Sequence, residues 1–294
     1  MILKCDVQYR KVDSGFKLTK VGVTGVRKPV LVKREGLSDL NGALNCNIDV
    51  FVDLPATQKG SHLSRNVEVL REVVDESLTE PISGLENLAA DICNRLLVHH
   101  EYAVTANVCI SAEYFRNNTT PNGKQTLEMY ELIARGRVLR GSPVRKTIGV
   151  KVMGMTACPC AQQTVKEMLE CGDEFPVISH NQRNLCTVTL EMGEDVNVEA
   201  DDLIDLVEDS FSSPTFELLK RDDEGAVVLN AHRNPKFVED VVRGVLKRVT
   251  ARYPSIPDDV EIVARSESQE SIHKHNAFAE RTASFGELRE ELLQ

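Results

Sequence analysis

One short run in the chain sets two thiols around a proline, Cys158-Pro159-Cys160, where a β-rich stretch from Lys151 to Met155 gives way to helical spacing. A thiol at a helix N-terminus is drawn toward thiolate, which suits it to bind a metal or to attack an electrophile. The spacing is shorter than the two-residue spacer of a zinc knuckle, and no second cysteine pair lies at a matching distance. A redox Cys-x-x-Cys is absent as well. Two readings stay open on these residues alone: metal or nucleophile chemistry, or two structural cysteines buried at a strand end.

Histidine is scarce, so its placement informs. His180 opens the run His-Asn-Gln-Arg before an expected strand, and His273 and His275 form His-x-His after another. On a strand these two would share a face; on a loop that inference lapses, and a solvated pair is the alternative. His62, His99 and His100 flank expected helices and read as surface or core residues. Glu224, Glu239 and Glu270 stand in charged runs of the kind that usually form a solvated face. Glu270, three residues before His273, could nevertheless orient that imidazole or share proton transfer with it. A Cys/His/Glu site for a divalent metal, with a Glu–His acid–base pair, is thus one reading of the inventory.

These groups are far apart in sequence, so the fold must gather them. Residues 16–34 and 44–54 are rich in β-branched side chains, and Ile48, Val50, Val52 and Leu54 alternate. Leu63, Val67, Leu70 and Val74 recur at helical spacing. Leu85, Leu88, Ala89, Ile92 and Leu96 mark a second helix, with Ser83 placed as its N-cap. Residues 102–115 return to strand character, and 116–126 carry the Asn-Gly and Pro signals of a turn.

The order then repeats. Strands are expected over 146–155 and 184–193, with a helical insert near 160–171 between them. Leu203, Leu206, Val207 and Phe211 mark a helix, and a stronger one begins at Asn234 with Pro235 in its first turn. A strand over 258–268 follows, and residues 275–285 supply the last. The expected class is α+β, a ββααββ order written twice, each antiparallel sheet covered by helices on one face. The halves fall at 1–125 and 146–294, with 126–145 as a connecting segment and the chemistry mostly in the second half.

Composition bounds the function. With 294 residues the chain can bury a large core, and 41% hydrophobic with 27% charged residues is ordinary for a globular protein. A net charge of −10 argues against general attraction to nucleic acid or anionic membrane, though a local cationic cluster can still take an anionic substrate. No apolar run approaches a bilayer span, and no signal peptide is read, so a cytoplasmic location is expected. In such a reducing compartment the eight cysteines need not pair; Cys5, Cys46, Cys93, Cys109 and Cys186 read as small core residues. Neither G-x-x-x-x-G-K-[ST] nor G-x-G-x-x-G occurs.

Five separated runs, over 156–162, 180–183, 218–224, 234–243 and 270–277, resemble the type IB GTP cyclohydrolase family in content and order. Gly-Ser-His-Leu-Ser-Arg over 60–65 fits its N-terminal half, and Ala161-Gln162 after the Cys-Pro-Cys is similar to the archaeal, methanopterin-pathway branch. The resemblance implies the tunnelling fold, tandem ββααββ modules assembled as homo-oligomers, typically tetramers, with active sites at module or subunit interfaces. It implies metal ligation by Cys158, His180, Glu224 and His273. Glu270 and His273 would stand at the reacting centre, and Glu239 would anchor guanine. Cys160 and His275 receive no firm role. The 21 residues between Cys158 and His180 exceed the bacterial spacer, and Val228, Leu229 and His232 stand where the bacterial branch has other residues.

The chemistry so implied asks for these residue types. Opening the guanine imidazole ring needs water to attack C8, and a divalent metal lowers the pKa of bound water from about 15.7 toward neutrality. Fe(II) is the expected ion, although Cys, His and Glu suit Zn(II) and Mn(II) as well by softness. A carboxylate accepts from guanine N1–H and the 2-amino group, a pair that adenine lacks. Arg183, Lys220, Arg221 and Lys274 are the nearby cations for the triphosphate of GTP. The implied product is 7,8-dihydroneopterin 2′,3′-cyclic phosphate, with formate and diphosphate released. The alternatives are dihydroneopterin triphosphate for folate, and a non-catalytic purine or pterin binder.

Overall fold

The computed structural model describes residues 7–8, 10, 12, 15–33, 42–172 and 176–293, so Cys5 lies outside the described residues. The chain forms two compact units that interleave in sequence. One comprises Met1–Glu113, Ile133–Ile148 and Glu191–Asn197; the other comprises Tyr114–Leu132, Gly149–Leu190 and Val198–Gln294.

The first unit contains β1 (Leu18–Leu31), β2 (Ala43–Leu54), α1 (Leu63–Thr79) and α2 (Leu85–His99). The beginning of β3 (Thr105–Thr119) and the end of β4 (Gln125–Leu139) complete its sheet, paired in the order β1-β2-β3-β4. Along β2 burial alternates strictly, as the Ile48/Val50/Val52/Leu54 pattern requires, and α1 packs on β1 and on α2. α2 buries the expected Leu85, Leu88, Ala89, Ile92 and Leu96. α1 is turned from its expected face: Leu63 and Val67 are exposed, while Asn66, Val69, Leu70, Val73, Val74 and Ser77 face inward.

Asn66 explains the rotation. It is fully buried because its Oδ1 meets His100 Nε2 at 2.7 Å, and His100 Nδ1 meets Tyr102 Oη at 2.9 Å. Tyr102 Oη in turn pairs with Ser61 Oγ at 2.7 Å. This polar core takes an α1 position that an apolar template would not choose. The N-cap of α2 is Gly84 rather than Ser83, whose Oγ instead accepts from Asn87 Nδ2 at 2.8 Å.

The second unit adds β5 (Arg145–Ala157), α3 (Pro159–Leu169), β6 (Asn181–Met192), α4 (Ala200–Glu208) and β7 (Ser213–Pro214). It continues through α5 (Arg221–Arg233), α6 (Val238–Arg252), β8 (Glu261–Ser268), β9 (Ala277–Ser284) and α7 (Phe285–Leu292). Its strands pair in the order β3-β4-β5-β6-β8-β9, with β7 on β5. α6 packs on β8, β9 and α4. The tandem ββααββ order is present, with antiparallel strands and helices on one face.

Two further sequence expectations differ from the structure. Residues 126–145 hold most of β4 and reach β5 instead of forming a connection. The inward positions of β4 include Thr126 and Glu128, which muted the apolar alternation: Thr126 Oγ1 donates to Glu128 Oε1 at 2.8 Å, and Glu128 also accepts the Glu217 amide at 3.1 Å. The long helix expected from Asn234 begins at Val238, so Pro235 lies in the break after α5 and not in a first turn. α5 itself escaped notice because it buries only Asp223, Val227 and Ala231. Among the described residues no helix is long and apolar enough to cross a membrane.

Candidate active site

Cys158 is the N-cap of α3, with φ −72° and ψ 118°, and Pro159 occupies the first helical position, where its missing N–H costs nothing. The Ala161 N–H donates to Cys158 Sγ at 3.4 Å. The backbone ties the thiol to His180: Cys158 N donates to His180 O at 3.1 Å, and Ser179 Oγ donates to Cys158 O at 2.6 Å. The long spacer between them is closed at its base by Gln162, whose Nε2 reaches Val177 O at 2.9 Å and His232 O at 2.8 Å. Cys160 is exposed.

His180 Nδ1 meets Gln182 Oε1 at 2.9 Å and lies 3.7 Å from Glu270 Oε2. Its ring centroid is 6.4 Å from that of His273, nearly perpendicular to it. His273 and His275 stack at 5.1 Å, but they stand on the exposed loop between β8 and β9. Stacking, not strand pleat, brings the His-x-His rings together.

One pocket is lined by Cys158, Glu239 and Glu270, with Thr156, Gln182 and Ser268 as its polar floor and Phe237 and Phe278 as half-exposed apolar walls. Glu239 stands in the first turn of α6, which is capped where Phe237 N donates to Asp240 Oδ2 at 3.0 Å. The Arg265 guanidinium packs 5.4 Å from the Phe278 ring centre.

Lys236, also in the lining, is braced from behind. Its Nζ donates to Ser210 O at 3.1 Å and Phe211 O at 3.0 Å, and its amide donates to Ala157 O at 3.0 Å. Burial, with Arg248 nearby, holds the Lys236 ammonium below the usual lysine range. Phe211 is packed flat on Gly154, where any β-carbon would collide with its ring.

The remaining expected site residues stand outside this lining. Arg183 is exposed between the buried Gln182 and Asn184, so the pleat of β6 turns it to the opposite face. Lys220, Arg221 and Glu224 are exposed at the start of α5, and Lys274 is exposed on the β8–β9 loop. Between Arg221 and Glu224, Asp223 is fully buried, accepting from Asn122 N at 3.0 Å and Lys220 N at 3.3 Å. Burial pushes its carboxyl up, but bonds from Thr120, Asn122 and Lys220 and the charge of Lys124 hold it below the usual range.

Among the described residues no three His, Cys, Asp or Glu side chains converge as a finished metal cage. The donor types do fit a divalent cation: the Cys158 thiol and the His180 and His273 imidazoles are S and N donors that zinc and iron take, with the Glu270 carboxylate beside His180. Sequence reasoning had not picked out Gln182, Lys236, Phe237, Ser268 or Phe278. Three of these lie inside runs already singled out, so the signal was present there without a geometry to read it.

The fold has relatives among solved structures. A uricase from Bacillus fastidious superposes with a TM-score of 0.53, at 10% identity, over 94% of this chain and 96% of that chain. A uricase from Arthrobacter globiformis gives 0.51, also at 10% identity, over 91% and 93%. At such identity the likeness bears on fold alone, and with the tandem ββααββ order it defines a tunnelling-fold protein.

A family model described as type I GTP cyclohydrolase folE2 matches residues 5–279. GTP cyclohydrolase MptA 1 of Methanocella arvoryzae is 44% identical over 98% of this chain and 96% of its own length. GTP cyclohydrolase MptA of Methanosphaera stadtmanae is 44% identical over 97% of each, and that of Methanothermobacter thermautotrophicus 43% over 98% and 95%. The chain belongs to the type I GTP cyclohydrolase folE2 family.

Proposed function

We propose that this chain is a GTP cyclohydrolase that opens the guanine imidazole ring at C8. The reading is carried by one observation: Cys158, Glu239 and Glu270 line a single pocket, with His180 against Glu270. The pocket holds about 200 Å³. That suits a bicyclic base but falls short of the roughly 300–1,000 Å³ of sites for larger ligands, so the triphosphate lies outside it.

Glu239 at the mouth accepts from guanine N1–H and the 2-amino group, while Phe237 and Phe278 offer flat apolar surface to the ring faces. Glu270 and His273 move protons to N7 and N9 as the C8 bonds break. The residues that would hold a divalent cation, Fe(II) on this reading, are Cys158, His180 and His273, and the ion would supply Lewis acidity that lowers the pKa of water toward about 7. Glu224 faces solvent on α5, and we assign it no ligand role. Exposed Lys220, Arg221, Lys274 and Arg183 are the cations available to phosphates.

The product read here is 7,8-dihydroneopterin 2′,3′-cyclic phosphate, for a methanopterin-type pterin. It is supported by Ala161-Gln162 after the Cys-Pro-Cys and by relatives bearing the MptA name. The protein is read as a homo-oligomer, a tetramer by family resemblance; β9 ends the strand order of its unit and leaves an edge for pairing. Anaerobic protein restored with Fe(II), Zn(II) or Mn(II) should release formate and diphosphate from GTP, and a chelator should stop it. Retained triphosphate would replace the product by dihydroneopterin triphosphate. No formate with any metal would leave a purine or pterin binder.

A further inference from the structure

Among the described residues, two buried polar atoms at and beside the pocket floor have nothing to bond. Ser268, at the end of β8, is 1% exposed and lines the pocket, yet its Oγ has no partner. On the neighbouring strand β6, Asn184 is fully buried; its Oδ1 accepts from Ser266 Oγ at 2.8 Å, and its Nδ2 has no partner. Gln269 N donates to Arg183 O at 2.8 Å, which sets Asn184 and Ser268 side by side across the two strands. Turning the Asn184 amide over moves the orphan to its other atom without removing it.

Unpaired buried polar groups are costly, and native proteins rarely tolerate two together without an ordered water between them. The site is polar enough to hold one. Besides Asn184 and Ser268, the hydroxyl of Thr156 and the amide of Gln182, bonded at 3.4 Å, belong to the same floor.

We propose that Asn184 and Ser268 form a water site beneath the pocket, and that water held there feeds the hydrolysis once a nucleotide covers the mouth. The second half rests on the cyclohydrolase reading above. Removing C8 as formate consumes two waters: each oxygen bonds to C8 as one C8–N bond breaks. N7 gains two protons and N9 gains one, the two oxygens leave in formate, and the fourth proton of the two waters is released to solvent as formic acid ionises. A pocket of about 200 Å³ filled by a base leaves little free space, so the second water needs a place to wait.

The test combines an atomic-resolution crystal structure of the wild-type protein with Tm and steady-state formate release for Ser268→Ala, Ser268→Thr and Asn184→Leu. Water density within hydrogen-bond distance of both side chains is expected. Ser268→Ala should lower kcat by about tenfold with KM unchanged and without raising Tm, and Ser268→Thr should recover most of the rate. Empty density, or a raised Tm with unchanged kcat in Ser268→Ala, overturns the proposal, because the hydroxyl was then truly unpaired. If the wild-type protein releases no formate, the hydrolytic reading falls and takes the feeding role with it. Density and Tm still decide the water site.

Discussion

His180 Nδ1 and Glu270 Oε2 stand 3.7 Å apart, with both side chains 11% exposed. A carboxylate so placed can pass protons beside a ligated imidazole without being a ligand. Glu270→Gln should therefore keep metal and GTP binding while turnover slows by about 10²–10⁴. His180→Ala and His273→Ala should each lower metal affinity, and His275→Ala should be milder. Metal analysis run beside formate release separates these outcomes. Metal loss in Glu270→Gln would show that the carboxylate is a ligand.

The two thiols differ in setting, since Cys158 lines the pocket and Cys160 is exposed. Cys158→Ser should lose metal and activity together, whereas Cys160→Ser should keep its metal. Glu224→Gln should keep it too. Equal loss in the two cysteine variants, or loss in Glu224→Gln, would redraw the ligand set.

Base selection is assigned to Glu239. Glu239→Gln replaces an acceptor-only carboxylate by an amide that can satisfy just one of the two guanine donors. With a lost buried bond costing about 1–3 kcal/mol, GTP affinity should fall by roughly tenfold or more while metal content stays constant. Calorimetric titration of the metal-loaded protein reads this directly. Unchanged affinity would place base recognition on other residues.

His100 makes stability depend on pH. Burial, reinforced by Arg65, His62 and His99, lowers its pKa to about 4, from an ordinary value near 6.5. The unfolded chain thus takes up the proton first as pH falls. The stability tied to neutral His100 is complete above about pH 6.5 and is lost progressively toward pH 4, at up to about 1.4 kcal/mol per pH unit. Urea unfolding across this window should show a shallower decline for His100→Gln than for wild type. Parallel declines would mean that His100 already titrates normally in the folded protein.

Much of this was legible where burial and periodicity agree. The alternation in β2 and the apolar stripe of α2 match the sequence pattern because their inward positions are apolar, Glu86 alone excepted. The pattern failed where the interior is polar: Asn66 and His100 turned α1, and Thr126 with Glu128 hid β4. Of the pocket lining, Cys158, Glu239 and Glu270 could be named by resemblance, as could His180 beside Glu270. Lys236 and Ser268 could not, because their roles depend on carbonyls and cross-strand neighbours that no local window contains.

The bracing of Lys236 gives the two sides of the pocket different entropy. Its ammonium is tied to two carbonyls beyond α4, and Phe211, one of those partners, is wedged on Gly154, so the wall carrying Glu239 is preset. His273, by contrast, stands on an exposed loop outside that lining. Rotamer and loop ordering cost about 0.5–1.5 kcal/mol per immobilised side chain. The Glu239 wall therefore surrenders almost no freedom when a ligand meets it, and any ordering cost falls on the histidine loop.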